Sequence, residues 1–249
     1  MGIIINADDY GMNERCSEAI ARAFHEGLIT DTTMMATGEY FDRAVILAKE
    51  QGFKDKIGIH FNLTEGEPLT EEIKKCSRFV TEGRLTRQYN RISPLTKREK
   101  SAIYHELSAQ VEKLESSGIN ITHADSHHHI HTGFFIAPIV TKVCKEHGIN
   151  KVRLNRNLGK ISFIKSFIKN KYNRWLQKQG FVTTEFFAFS KDVADTYIPD
   201  NTEVMVHPDF DENGVLIDRR GFKDGIPFGK RIPNLRTGQN FILKNYSSL

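Results

Sequence analysis

The feature that most constrains the fold is an alternation of short apolar segments with helical segments along the 249 residues of the chain. Seven segments have the length and the β-branched or aromatic content expected of strands. They begin near residues 3, 32, 57, 121, 151, 184 and 203. Alternation of this kind indicates a parallel sheet covered by helices, and the length suits an α/β barrel. We therefore expect one domain over residues 1–249.

The composition narrows the class of protein. The formal net charge is +4, and Lys and Arg are denser around residues 151–178 without forming a long uninterrupted run, so nucleic acid is not an expected partner. Three widely spaced cysteines indicate neither a disulfide framework nor a Cys-based zinc site, which fits a reducing cytoplasm. The N-terminal apolar run is too short for a signal peptide, and no stretch approaches the ~20 apolar residues of a membrane span. A cytoplasmic protein without a membrane partner is expected.

Residues 123–131 read HADSHHHIH and hold five of the ten histidines of the chain. They follow the strand predicted at 121–124, and polar residues at the carboxyl ends of parallel strands usually form sites. If the segment were extended, His127, His129 and His131 would share one face. A surface patch is the alternative. Four histidines beside an aspartate favour a metal site, because imidazole binds Zn, Fe, Ni, Cu and Mn, and a carboxylate widens the range toward harder ions.

Other predicted strand ends also carry polar residues. They are Asp8, Asp9, His60, Arg153 and His207. Because successive side chains point apart, one of the two aspartates can bind a metal while the other acts as a base. Each residue also has a simpler interpretation: a solvated turn at a helix N-terminus for the aspartates, a core histidine at 60, a surface arginine at 153 and a structural His-Pro at 207. Their shared position at strand ends favours a site.

A metal held by one carboxylate and two imidazoles keeps open positions for water and substrate, as catalytic sites do. Such an ion lowers the pKa of its water and polarises a carbonyl oxygen. A nearby carboxylate then takes the proton of the water, and a second acid protonates the leaving amine. Asp8 and His207 are the candidates for these two roles.

Four motifs resemble the YdjC-like carbohydrate deacetylases, of which the chitooligosaccharide deacetylases are the best-described members. The motifs are ADDYG at 7–11, GIHFNL at 58–63, DSHHHIH at 125–131 and VHP at 206–208. The resemblance implies a deformed seven-stranded (β/α) barrel related to the polysaccharide deacetylases, often dimeric. It also implies a divalent ion, Mg²⁺ or Zn²⁺, bound by Asp9, His60 and His127, with Asp8 as the base.

The remaining candidate residues are assigned to the substrate cleft or to the surroundings of the ligands. His129 and His131 would line the cleft or orient the ligating histidine of the cluster. Asp125 would be a hydrogen-bonding partner that fixes the tautomer of a ligating histidine. Arg153 would position the base or bind substrate, and Asn62 belongs to the same group.

Two regions depart from the regular pattern. Residues 64–95 contain glycine, proline and mixed charges without a clear period, and so long a connection is usually functional or mobile. We expect an insertion that acts as a lid. Residues 217–249 lack the Arg-Glu helix expected of the family, so a contact of that helix with substrate or with a second subunit does not carry over.

The sequence thus predicts a hydrolase that removes acetyl groups from N-acetylated amino sugars, with short chitooligosaccharides as substrates, by attack of metal-bound water. One alternative is another metal-barrel hydrolase, a phosphoesterase or an amidohydrolase. Those enzymes commonly carry His-x-His on the first strand, where this chain has Asp-Asp. The other alternative is a sugar-binding protein without catalysis, and an intact Asp8 argues against it.

Overall fold

The structure is a computed structural model that describes residues 2–89, 92–192, 198–220, 228 and 242–249. The strands of the described part are β1 (Ile3–Tyr10), β2 (Asp31–Met34), β3 (Ile57–Phe61), β4 (Val80–Thr81), β5 (Arg84–Leu85), β6 (Ala124–Ser126), β7 (Phe186–Phe189), β8 (Thr202–Val206), β9 (Pro208–Phe210) and β10 (Leu216–Asp218). The α-helices are α1 (Glu14–His25), α2 (Phe41–Glu50), α3 (Glu71–Lys74), α4 (Lys97–Ser116), α5 (Ala137–Glu146) and α6 (Phe163–Lys178). Short 3₁₀ helices occupy Lys54–Lys56, His127–Thr132, Ser190–Asp192 and Tyr246–Ser248.

A six-stranded parallel sheet in the order β6-β3-β2-β1-β8-β7 forms the framework. It is a curled half-barrel, and every residue of β1 is buried. The apolar run at Ile3, Ile4 and Ile5 fits a strand that is covered on both faces. Sequence periodicity therefore predicted the class of fold, and the parallel arrangement is confirmed.

A seventh strand of the barrel is not confirmed. The segment near residue 151 makes only isolated parallel bridges, Ala124 to Val152 and Lys151 to Val182. One bridged pair on each side does not make a ladder, so the sheet of the described residues has six strands. The apolar run at 151–154 is instead buried as a bridged segment between β6 and the residues that precede β7.

The ends of the helices have local causes. Asn13 caps α1 by accepting a hydrogen bond from the Cys16 amide at 2.9 Å. Thr96 and Glu99 form a reciprocal capping box at the start of α4. One side of α4 is an apolar stripe that is fully buried; its members are Ile103, Leu107, Val111 and Leu114. Within the described part of the chain, no helix has the length and apolar character needed to cross a membrane.

The region predicted as an insertion contains α3 and the antiparallel pair β4–β5. Its side chains Ile73, Phe79 and Leu85 are buried in the core. The backbone amide of Leu69 also donates to both carboxylate oxygens of Glu106 on α4, at 3.1 and 3.0 Å. The described part of this region is thus anchored to the body. Residues 90 and 91 lie outside the described residues, as do 221–227 and 229–241 of the predicted atypical C-terminal segment.

Candidate active site

The C-terminal end of β1 is irregular where Asp8 and Asp9 lie. Its register with β2 shifts between Ala7 and Tyr10, and Asp9 has a φ of 71°, a left-handed conformation that is uncommon outside glycine. Regular strand geometry would send the two side chains to opposite faces. Both carboxylates are buried and both line one cleft. Strain of this kind is found mainly at functional sites.

Three residues with metal-ligand chemistry meet at Asp9. Its Oδ1 lies 2.7 Å from Nδ1 of His127 and 3.2 Å from Nε2 of His60. One potential ligand atom from each of the three lies within 4.8 Å of the other two. Nε2 of His60 is buried and has no hydrogen-bond partner among the described residues, although Oδ1 of Asp9 is near. A buried nitrogen left unsatisfied next to a carboxylate has the environment expected of a metal ligand.

The other nitrogen of His60 is fixed by polar neighbours. Its Nδ1 lies 2.6 Å from Oδ1 of Asp125 and 3.0 Å from the hydroxyl of Thr33, which in turn donates to Oδ2 of Asp125 at 3.1 Å. A carboxylate on Nδ1 directs the lone pair of Nε2 toward the site. Burial lowers the pKa of His60, but Asp125 outweighs this effect and raises the pKa to about 10. A cation bound at Nε2 must displace that proton.

A second carboxylate, Glu65, lies 3.0 Å from Nε2 of His127. Glu65 belongs to a turn held by Asn62, whose side-chain oxygen accepts from the amides of Thr64 and Glu65 at 3.0 and 3.2 Å. Asn62 itself is fully buried. Its side chain therefore shapes the turn that carries Glu65, and it does not line the cleft. Glu65 also forms a second potential ligand group with His127 and His128.

Arg153 is fully buried and forms a bidentate ion pair with Asp8. Its two terminal nitrogens donate to the two oxygens of Asp8 at 2.8 and 2.7 Å, and its Nε donates to Glu203 at 2.7 Å. Arg153 also pairs with Asp125. Burial raises the pKa of Asp8, but the guanidinium outweighs this effect and holds the pKa well below its usual range. Asp8 is thus an ionised carboxylate at neutral pH, and the interpretation of Arg153 as a surface residue is wrong.

His207 lies near Oδ2 of Asp9, whereas His60 and His127 lie near Oδ1. Its Nε2 is 3.9 Å from Oδ2 of Asp9, and its backbone amide donates to Asp218 at 3.0 Å. Burial lowers the pKa of His207, so its imidazole is neutral at neutral pH. Arg219 approaches the same oxygen of Asp9, with Nη2 at 3.4 Å.

The histidine cluster turns at once into a 3₁₀ helix, so the extended conformation in which His127, His129 and His131 would share one face is not adopted. His128 and His129 have φ values of 52° and 55°. Strand pairing ends at Ser126, and the chain is no longer pleated beyond it. His127 reaches the ligand group; His129 lines the cleft and stacks on Phe189 at 5.5 Å between ring centroids. His131 is buried against the Ser126 hydroxyl and is not part of the cleft wall.

The cleft has a volume of about 450 Å³. Besides the residues already described, its wall carries four cationic side chains that the sequence did not single out: Arg87, Lys191, Arg219 and Arg220. A larger hollow of about 680 Å³ lies against α1 and α2 and contains none of these residues. Size alone therefore does not identify the site, and the chemistry of the lining does.

Sequence reasoning missed Glu65, Glu203 and Tyr246. Glu203 lies in the middle of the buried strand β8, where its carboxylate contacts Arg153 and the hydroxyl of Tyr246. A charged residue within an apolar strand was a readable signal, because it needs a buried partner. Glu65 and Tyr246 gave no such signal, since each reaches the polar centre from a distant part of the chain.

Together these groups can support metal-assisted hydrolysis. Asp9, His60 and His127 have the donor set of an open catalytic metal site. Asp8 and His207 line the same cleft. The ionised carboxylate can accept a proton, and the imidazole can donate one once it is protonated.

Comparison with known proteins points to carbohydrate deacetylases. The family model of YdjC-like proteins matches residues 2–229. The carbohydrate deacetylase of Brevibacillus brevis is 33% identical over 224 residues, covering 87% of this chain and 84% of that protein. The carbohydrate deacetylase of Clostridium beijerinckii is 32% identical over 222 residues, with coverages of 87% and 84%. That of Vibrio parahaemolyticus is 37% identical over 152 residues, 60% of this chain and 57% of that protein.

Solved structures share the fold. A protein of Enterococcus faecalis V583, provisionally described as a cellobiose-phosphate cleavage protein, superposes with a TM-score of 0.78 at 20% identity. The match covers 99% of this chain and 98% of that one.

Proposed function

This chain belongs to the YdjC-like protein family, and on that premise we propose that it is a metal-dependent hydrolase acting on N-acetylated amino sugars, with short chitooligosaccharides as the expected substrates. Several relatives carry the name carbohydrate deacetylase, and the chain is accordingly an enzyme that removes acetyl groups from carbohydrates. One observation supports the metal above all others. His60 presents a buried, unsatisfied Nε2 3.2 Å from Asp9.

Asp9, His60 and His127 would hold the ion, either Mg²⁺ or Zn²⁺. When bound, a divalent ion of this kind lowers the pKa of water and polarises the carbonyl oxygen of the amide. The mixed carboxylate and imidazole donor set suits Zn²⁺ and also admits harder ions. Asp125 would keep the His60 ring in the orientation that exposes Nε2 to the ion.

Asp8 would accept the proton of the attacking water. Arg153 keeps its carboxylate ionised and fixes both oxygens in place. A carboxylate with so low a pKa is a modest base, which is adequate only toward a water that is itself acidified. The bidentate ion pair therefore gives Asp8 a fixed position rather than a high basicity.

His207 would protonate the departing amine. Its imidazole must first take a proton from solvent, since burial keeps its pKa low. Asp9, at 3.9 Å, and Asp8 oppose that effect and stabilise the cationic ring. Asp8 would in turn release to solvent the proton that it accepts from the water, so that protons balance over one cycle. On the cleft wall, the stacked rings of His129 and Phe189 would offer the substrate a flat surface.

Release of acetate from N,N′-diacetylchitobiose tests the proposal. The protein is stripped with a chelator and then supplied with Mg²⁺ or Zn²⁺. We expect acetate release to stop on chelation and to return with one of the ions, while Asp9→Asn stays inactive and the exposed-site control Asp55→Asn behaves like the wild type. Turnover that survives chelation contradicts the metal. Binding of the sugar without release of acetate would identify a non-catalytic binding protein, and cleavage of a phosphate ester alone would identify a phosphoesterase.

A further inference from the structure

Helix α6 carries an apolar surface that faces solvent. Phe163 and Ile164 are 87% and 73% exposed, and Phe167 and Ile168 are 55% and 61% exposed. Residues four apart lie on the same side of a helix, so these four side chains form one patch. Ten large apolar side chains are exposed among the described residues, and four of them lie within these six positions. Apolar clusters of this kind mark interaction sites more often than scattered single residues do.

Cations continue the same side of the helix. Lys171, Arg174 and Lys178 follow Phe167 by 4, 7 and 11 residues, which keeps them on its face. All three are exposed, and within the described ranges none forms an ion pair with an acid. The surrounding sequence is uniformly basic, since residues 147–184 contain nine Lys and Arg and no Asp or Glu. The overall charge of +4 conceals this local concentration.

We propose that this face of α6 docks the protein on the surface of an anionic lipid bilayer. Amphipathic helices with Phe and other apolar side chains on the exposed face and Lys or Arg around them bind in the plane of the interface. The apolar residues enter the boundary between headgroups and acyl chains, and the cations bind the lipid phosphates and carboxylates. This mode of binding needs no membrane-spanning helix.

Charge distinguishes the bilayer from two other occupants. A symmetric dimer through α6 would bring the same patch of each copy together and oppose like charges. Residues 221–241 carry four Lys and Arg against one Asp, so this segment does not match the basic patch in charge. Neither surface is complementary to α6, whereas an anionic bilayer is.

The connection that enters α6 contacts the wall of the cleft. The guanidinium of Arg156 lies 4.9 Å above the ring of Phe189 and pairs with Asp192 at 3.3 Å. Phe189 is one of the residues that line the cleft. The docking face therefore begins one short connection away from the active-site wall.

Co-sedimentation of the full-length protein with lipid vesicles tests the proposal. The vesicles are phosphatidylcholine alone or phosphatidylcholine mixed with phosphatidylserine. We expect binding to the mixed vesicles only, weakened by salt. The triple variant Lys171→Gln, Arg174→Gln, Lys178→Gln should lower the partition coefficient about 100-fold, since each cation near the surface contributes about a fivefold factor. The double variant Ile164→Ser, Ile168→Ser should also lose binding.

Matched control variants test whether binding depends on the α6 face itself or only on the total number of charged and apolar side chains. The first control removes the same charge elsewhere through Lys54→Gln, Lys75→Gln and Lys97→Gln. The second removes two exposed isoleucines through Ile46→Ser and Ile92→Ser. Both variants should bind vesicles as the wild type does. Circular dichroism melting curves check that every variant is folded. The proposal is overturned if the wild type does not bind mixed vesicles or if the α6 variants bind them equally well. It is also overturned if sedimentation velocity shows a dimer that these variants dissociate, which would make the patch a subunit interface. Capture of polyglutamate without capture of vesicles would overturn it as well, since the partner would then be an acidic polypeptide. None of these outcomes depends on deacetylase activity.

Discussion

Asp125 holds the imidazole ring of His60 in place: Oδ1 of Asp125 lies 2.6 Å from Nδ1 of His60, and both side chains are buried. The two residues lie opposite each other in the register of β3 with β6. Pairing of two parallel strands thus places a carboxylate on one nitrogen of the ring and turns the other nitrogen toward Asp9. The contact explains how a core-facing histidine can serve as a metal ligand.

Replacing Asp125 by Asn should weaken metal binding. The amide keeps the size of the side chain but removes the charge that fixes the tautomer of His60, and the loss of such a partner typically lowers affinity about 10–100-fold. Competition with a chromophoric chelator for Zn²⁺ measures the change. Asp55→Asn serves as the control, because this carboxylate is exposed and does not line the cleft. Equal Zn²⁺ affinity of Asp125→Asn and the wild type would contradict this role.

Asp8→Asn should retain the metal and lose turnover. The variant leaves Asp9, His60 and His127 in place but removes the proposed proton acceptor, a change worth about 10²–10⁴ in rate. Acetate release and Zn²⁺ titration on the same preparation measure the two properties. A purified variant that binds the ion and still releases acetate at the normal rate would show that another group is the base.

Arg153→Met should destabilise the protein strongly. The substitution leaves Asp8 and Asp125 buried without their counter-charge, and removing one partner of a buried ion pair costs about 3–5 kcal/mol. Urea unfolding gives the free energy of unfolding. The exposed Arg174→Met is the control and should stay within about 0.5 kcal/mol of the wild type. Similar effects of the two variants would mean that the buried network contributes little to folding.

Stability should depend on pH through Glu203. Burial raises its pKa from the ordinary 4.5 to about 7. Between these values the folded state holds more protons than the unfolded state, so the free energy of unfolding attributable to this group falls as pH rises from 4.5 to about 7. Asp31, with a pKa raised by burial to about 7, acts in the same direction.

Glu203→Gln removes the contribution of that group, so the variant should lose less stability than the wild type as pH rises through this window. Urea unfolding at several pH values measures the difference in slope. Glu112→Gln, on the exposed side of α4, should keep the slope of the wild type. Parallel curves for Glu203→Gln and the wild type would exclude a proton held by Glu203.

His129→Ala and His131→Ala should affect different properties. His129 lines the cleft and stacks on Phe189, so its loss should raise KM for the sugar and change the melting temperature little. His131 is buried at the Ser126 hydroxyl, so its loss should lower the melting temperature. Kinetics and calorimetry on both variants measure this, and identical profiles would contradict the assignment.

The predictions from local pattern were the most successful. The apolar run that begins at Ile3, the alternation of strands with helices, and the polar residues after the strands are all visible along the chain. Strand ends were less accurate: the strand predicted at 121–124 is β6 at Ala124–Ser126. The predicted seventh strand is not confirmed. An apolar run does not reveal whether hydrogen bonding to a neighbouring strand continues beyond one bridged pair.

The sequence by itself determined the alternation of strands and helices, the parallel sheet, and which residue types follow the ends of the strands. Periodicity and capping are local properties, and they can be read residue by residue. Tertiary structure alone decided that Glu65, Glu203 and Tyr246 join the polar centre. It also selected between the two roles that the sequence left open for Arg153, which binds both oxygens of Asp8. These contacts join residues far apart in the chain, and they depend on register, on the bulge after Ala7 and on packing, which local propensity does not encode.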